Sequence, residues 1–144
     1  RRSDDQNYVS ETGTLRVPMH PLDELVPACS TRLLKIDVEG SELPVLQGAA
    51  EVLVETDIVY CELSTANCRR FGYEPQQVEQ LLLGAGFVFI RRDDEGRPQV
   101  TKRAYFASLP ADDLPATGYN LVAVRPHVSQ DVLEMLSAQG WFRR

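Results

Sequence analysis

The stretch Leu33–Glu42 reads LLKIDVEGSE: an apolar run that delivers Lys35, Asp37, Glu39 and Glu42 within eight positions. Its first six residues, Leu33–Val38, predict a strand, mostly apolar and therefore suited to the interior of a parallel sheet. Gly40 then allows a sharp turn. Ser41 stands where a residue caps a helix, and Leu43, Leu46, Ala50 and Leu53 follow at helical spacing. Pro44 is tolerated in the first turn of that helix, and Gly48 is placed to break it in two. Strand, tight turn and helix in this order is the start of a βαβ unit.

The rhythm continues on both sides of this stretch. His20–Pro27 (HPLDELVP) predicts a short helix bracketed by prolines, and Thr14–Pro18 a short strand before it. Downstream, Asp57–Leu63 (DIVYCEL) predicts a second strand ending at Glu62, followed by a loop over STANCRRFGY. Pro75 opens a helix with Val78, Leu81, Leu82 and Ala85 on one face. Gly86–Arg92 predicts a third strand running into the turn DDEGRP, and Tyr119–Pro126 a fourth beyond an irregular stretch. Ser129 is expected to cap a last helix, stopped by Gly140. Strands about 25–30 residues apart with helices between them define an α/β fold of right-handed crossovers. One domain is expected over the 144 residues, with residues 1–13 flexible and 14–144 forming the core.

Composition narrows the function. A net charge of −6 argues against a nucleic-acid partner, which needs clustered cations. No apolar stretch reaches the length of a bilayer span, and the charged beginning does not read as a signal, so a cytoplasmic protein is expected. Three cysteines without a CxxC pair give neither a disulfide framework nor a zinc knuckle, and two histidines beside prolines offer little for a catalytic triad. No metal site is therefore expected from His or Cys, and chemistry falls to the carboxylates and Lys35.

Ligands of open α/β sheets bind beyond the carboxyl ends of the strands. Asp37 and Glu39 lie at that end of one strand and Glu62 at that end of the next, so the acids are expected to converge. Lys35, Asp37 and Glu39 alternate and are expected to share a face. Each has a structural alternative. Lys35 can merely neutralise a neighbouring acid, Glu62 can pair with Arg69 or Arg70, and Glu42 suits the positive end of its helix. Asp37 is the strongest functional candidate, because a short acid at a strand terminus is hard to explain by packing.

Taken together, LDELVP, LLKIDVEGSELPVLQGAAEVL and IVYCEL resemble the FkbM-type family of S-adenosylmethionine-dependent methyltransferases, over roughly Leu22 to Val124. The resemblance implies a Rossmann-like, doubly wound seven-stranded sheet whose fourth strand onward this chain supplies, with Tyr119–Arg125 antiparallel. It also implies methyl transfer to an oxygen of a sugar or another small molecule. Asp37 would lie nearest the cofactor and the reacting centre, with Glu39 or Glu62 as base and Lys35 holding a substrate oxygen or an acid. One departure stands out. The family's glycine-rich cofactor loop has no counterpart, since the single GxG, Gly84–Gly86, follows a helix and precedes a strand. The chain therefore reads as the C-terminal half of the domain, inactive alone. Its Leu33–Val38 strand would keep a naked edge, open to a second copy or to a separate N-terminal half unless Val9–Val17 covers it. A non-catalytic binding module built on the same fold is the alternative, and a magnesium phosphoryl-transfer site on Asp37, Glu39 and Glu62 a third reading.

Overall fold

Side chains that alternate in and out of a pleat organise the sheet. In the computed structural model, which describes residues 13–27, 29–106 and 118–140, β1 (Thr31–Ile36) pairs in parallel with β2 (Thr56–Leu63), setting Leu34 against Val59 and Ile36 against Cys61. Between them lie α2 (Glu42–Gln47) and α3 (Ala50–Val54), separated at Gly48 as expected. α4 (Thr65–Arg70) and α5 (Pro75–Gly84) lead to β3 (Val88–Arg92). A hairpin continues into β4 (Pro98–Thr101), and β5 (Tyr119–Val124) inserts antiparallel between β2 and β3. The order β1-β2-β5-β3-β4 makes a mixed, open five-stranded sheet in an α/β protein.

One sheet face is covered by α2, α3 and α5. Its core contains Leu46, Leu82, Phe87, Phe89 and Phe106, all at most 1% exposed. Burying each such side chain contributes about 1.5–3 kcal/mol. The other face carries Val88, Ile90, Val122 and Val124 under α6 (Ser129–Ala138), which follows a 3-10 turn at Pro126–Val128. Short helices here borrow their caps. Asp23, in α1 (Leu22–Leu25), accepts the Glu51 and Val52 amide hydrogens at 3.1 and 3.0 Å, capping α3 from 28 residues away. Gly48 is needed at that junction, because a Cβ there would stand 3.1 Å from the Pro21 backbone.

Several expectations are corrected. Among the described residues β1 stands at an edge of the sheet, the naked edge expected of a C-terminal half rather than the interior place its apolar run suits, and it ends at Ile36 instead of Val38. Thr14–Pro18 forms no strand and is exposed, while residues 9–12 of the expected cover lie outside the described residues. The loop after β2 contains α4, whose Ser64 hydroxyl accepts the Asn67 amide hydrogen. β4 arises where an irregular stretch was expected. Ser41 makes no side-chain cap, and Ser129 is the first residue of α6, its hydroxyl donating to the Pro126 carbonyl at 2.8 Å.

Candidate functional site

β1 and β2 end on the same edge of the sheet. Because β5 is antiparallel, its first residues lie on that edge too, with Asn120 opposite Glu62 and Tyr119 opposite Leu63. β3 runs in the sense of β2 and brings Arg91 and Arg92 there as its last two residues. Four strand ends thus meet on one edge of the sheet.

At the end of β1, Lys35 and Asp37 do share a side, with Nζ and Oδ2 2.7 Å apart. That hydrogen bond is the main reason the Lys35 ammonium is held above its ordinary range; burial opposes it, and the charges of Asp37, Tyr60 and Glu62 assist. Tyr60 pairs across from Lys35, and its phenol is pushed up by burial first and the nearby Glu62 carboxylate second. Lys35, Asp37, Tyr60 and Glu62 therefore form one electrostatic group.

Glu39 departs from it. The strand has ended, and Glu39 and Gly40 both take left-handed backbone angles, φ 53° and 109°. The chain turns over the sheet edge, and Glu39 Oε2 accepts from Asn67 Nδ2 at 2.8 Å. Asp37, Glu39 and Glu62 do not converge as a three-carboxylate cluster. Among the described residues no group of three or more His, Cys, Asp or Glu side chains is disposed to hold a metal ion. The turn itself is tightly packed. A Cβ on Gly40 would meet Phe71 at 2.7 Å and the Asn67 carbonyl at 2.8 Å.

Glu42, 1% exposed, holds this turn from below. Its Oε1 accepts the Gly40 amide hydrogen at 3.1 Å and that of Val38 at 3.4 Å, while Oε2 accepts the Tyr73 hydroxyl at 2.9 Å. Burial, then Cys68, then the Glu42 charge push the Tyr73 phenol far up, so it stays a donor. Glu42 accordingly acts on backbone amides of the turn, beyond any favourable placement near a helix dipole.

Glu62 is exposed, and its carboxylate leans over the start of β5, where a Cβ on Gly118 would stand 2.8 Å from Oε1. Arg69, one expected partner, pairs instead with Glu74 at 2.9 Å. Sequence reading missed Tyr60, although its alternation with Glu62 along β2 places both on one face. It also missed Asn67, Tyr73, Arg91, Tyr119 and Asn120, which reach the edge through tertiary packing.

No helix among the described residues is long and apolar enough to cross a membrane. The family model for the Methyltransferase FkbM domain matches residues 2–89, more than half of the chain. It begins upstream of the expected Leu22 and ends within β3. Comparison with curated proteins gave no match. Comparison with solved structures gave none either.

Proposed function

We propose, from the premise that this chain belongs to the FkbM methyltransferase family, that it supplies the acceptor side of an O-methyltransferase acting on a sugar or another small hydroxylated molecule. The observation that carries this reading is the carboxyl edge of the sheet, where Lys35–Asp37, Tyr60 and Glu62 meet the first residues of β5. On this reading the mixed five-stranded sheet, with β5 inserted antiparallel between β2 and β3, is the C-terminal half of a Rossmann-like domain.

S-adenosylmethionine is the methyl donor this family uses. The described residues fit only one flank of a site for it. Asp37 presents a partly exposed carboxylate at the strand end, but Gly40 is packed inward against Phe71 and offers no open cradle for a nucleotide. The donor-binding groups therefore lie outside the described residues. On this reading they join through the outer edge of β1, which among the described residues pairs only with β2 on its other side.

The chain's own residues orient the acceptor and handle its proton. Glu62, exposed and one strand spacing from Asn120, is the base toward which the acceptor hydroxyl proton moves. Lys35 pairs with Asp37 at 2.7 Å, and Asp37 is a positioning carboxylate at the flank of the reacting centre.

The test fuses the N-terminal half of a related enzyme to this chain, or supplies it in trans, and follows transfer of a labelled methyl group. Asp37→Asn should abolish turnover while changing stability by less than about 1 kcal/mol, as for a residue outside the core. Unchanged turnover would remove Asp37 from the site. Calorimetry on the 144-residue chain alone should give donor affinity no tighter than about millimolar, because each lost 1.4 kcal/mol of anchoring weakens binding tenfold. Micromolar binding there would overturn the half-site reading.

A further inference from the structure

β3 and β5 pair only from Val88↔Val124 to Ile90↔Val122. Beyond Ile90 each strand continues, but with another partner. Arg91 and Arg92 pair with Gln99 and Pro98 of β4, while Leu121, Asn120 and Tyr119 pair with β2. Two neighbouring strands thus part at the carboxyl edge, and the fork between them is a cleft of about 240 Å³ lined by Ile90, Arg91, Arg92, Tyr105, Tyr119 and Asn120. Ligand pockets for drug-sized molecules run from about 300 Å³ upward, so this fork suits a single ring-sized group.

Its chemistry is cationic and aromatic. Tyr105 and Tyr119 stack with centroids 4.7 Å apart and planes 2° from parallel. The Arg91 guanidinium stands 5.8 Å from the Tyr105 ring centroid. Arg91 Nε is buried without a hydrogen-bond partner, and among the described residues Arg91 has no ion pair. Leaving a charged donor buried and unsatisfied costs on the order of 1–3 kcal/mol or more. The nearby buried carboxylate of Glu79 accepts the Tyr105 and Phe106 amide hydrogens at 2.6 and 2.9 Å, which fixes the Tyr105 end of the aromatic stack.

We propose that this fork is the acceptor subsite and that Arg91 selects a monosaccharide-sized acceptor bearing an anionic group, a carboxylate or a phosphate. The inference rests on the methyltransferase reading for the word acceptor, but the binding itself does not. An anion on Arg91 satisfies the orphaned Nε–H with a charge-assisted hydrogen bond. The ring then fills the fork between Tyr119 and Asn120, and Asn120 stands across the β2–β5 ladder from Glu62.

The test is a titration of the full 144-residue chain with glucuronate, glucose 6-phosphate and glucose as separate probes. Amide and arginine Nε–H resonances would be followed by NMR. Either anionic sugar should shift the Arg91 Nε–H, Asn120 and Tyr119 signals, and the arm that binds more tightly identifies carboxylate or phosphate. Glucose should bind at least tenfold more weakly. Arg91→Gln should lose tenfold or more in affinity for the anionic probe while keeping a dispersed, folded spectrum, and Arg91→Lys should recover part of the loss. Equal binding of glucose, or shifts confined to another surface, would overturn the inference even if Arg91→Gln proved unfolded. The two readings also fail separately. Methylation of a neutral sugar by the reconstituted enzyme, without anion binding, sinks the subsite alone. Anion binding at the fork without any methyl transfer sinks the function and leaves the fork an anion site.

Discussion

Replacing the half-buried Arg125 should cost more stability than an ordinary surface charge, because its guanidinium closes the ends of two helices at once. It donates to the carbonyls of Leu53 at 2.5 Å, Ala85 at 2.6 Å and Thr56 at 3.1 Å, with Val54 at a weaker 3.3 Å. Leu53 and Val54 end α3 and Ala85 ends α5, where carbonyls lack intrahelical partners and the helix dipole is negative. The same guanidinium lies 4.2 Å from the Phe87 ring centroid. Three good hydrogen bonds at about 1 kcal/mol net each give roughly 3 kcal/mol. The ring contact adds about 0.5–1 kcal/mol. Arg125 is half-buried, so water replaces part of what is lost, and we expect Arg125→Ala to destabilise by about 2–4 kcal/mol. Urea unfolding followed by far-ultraviolet circular dichroism measures it. With m near 1–3 kcal/mol per molar, the midpoint should fall by about 1–2 M at unchanged m. Arg125→Lys keeps the charge but cannot span three carbonyls, and should recover no more than half. A loss within about 0.5 kcal/mol, the range of ordinary surface changes, would refute the reasoning. So would a lysine variant as stable as the parent.

Two further outcomes are expected. Burial, reinforced by the Glu42 charge, pushes the Cys61 thiol from 9.0 up to about 12. Below pH 9 the folded and unfolded chains both hold that proton; between pH 9 and 12 only the folded chain does, so stability falls by about 1.4 kcal/mol per pH unit from this group. Cys61→Ala should flatten the alkaline limb of stability against pH by that amount, and identical slopes would contradict the assignment. The outer edge of β1, unpaired among the described residues and with Leu33 57% exposed, should drive concentration-dependent dimerisation in sedimentation experiments. A monomer at high concentration, with β1 amides exchanging freely, would count against an adhesive edge.

What could be read in the sequence followed from period and punctuation. The apolar runs of β1 and β2, the break at Gly48 and the helix opened by Pro75 are local patterns, and the structure has them. α4 was hidden because TANCRR has no apolar period; only Ser64, a good cap, marked its start. β4 is four residues long and begins with Pro98, so nothing but its pairing with β3 makes it a strand. A turn was expected at Gly40, but its start one residue earlier, at Glu39, was not. Alternation holds only while the backbone stays extended, and the left-handed angles at Glu39 and Gly40 send that carboxylate to Asn67. Arg125 had no local signal at all, since its partners lie 40 and 72 residues away.

The distribution of charge along the carboxyl edge gives the proposed acceptor a direction. β1 and β2 contribute Asp37 and Glu62, whereas β3 contributes Arg91 and Arg92. An anionic sugar entering with its charged group toward β1 meets two carboxylates, with only Lys35 nearby and already paired to Asp37 at 2.7 Å. Entering the other way, it meets Arg91 in the fork and leaves its hydroxyl face toward Asn120. At an effective dielectric constant near 20, each charge contact at about 4 Å contributes roughly 4 kcal/mol before solvation is counted. Even a small remaining fraction of that difference selects one orientation over the other by more than tenfold, since 1.4 kcal/mol suffices. Both halves of the arrangement depend on the antiparallel β5, which reaches the same edge as the ends of β1, β2 and β3. It pairs with β2 far enough to place Asn120 beside Glu62, and leaves β3 early enough to open the fork.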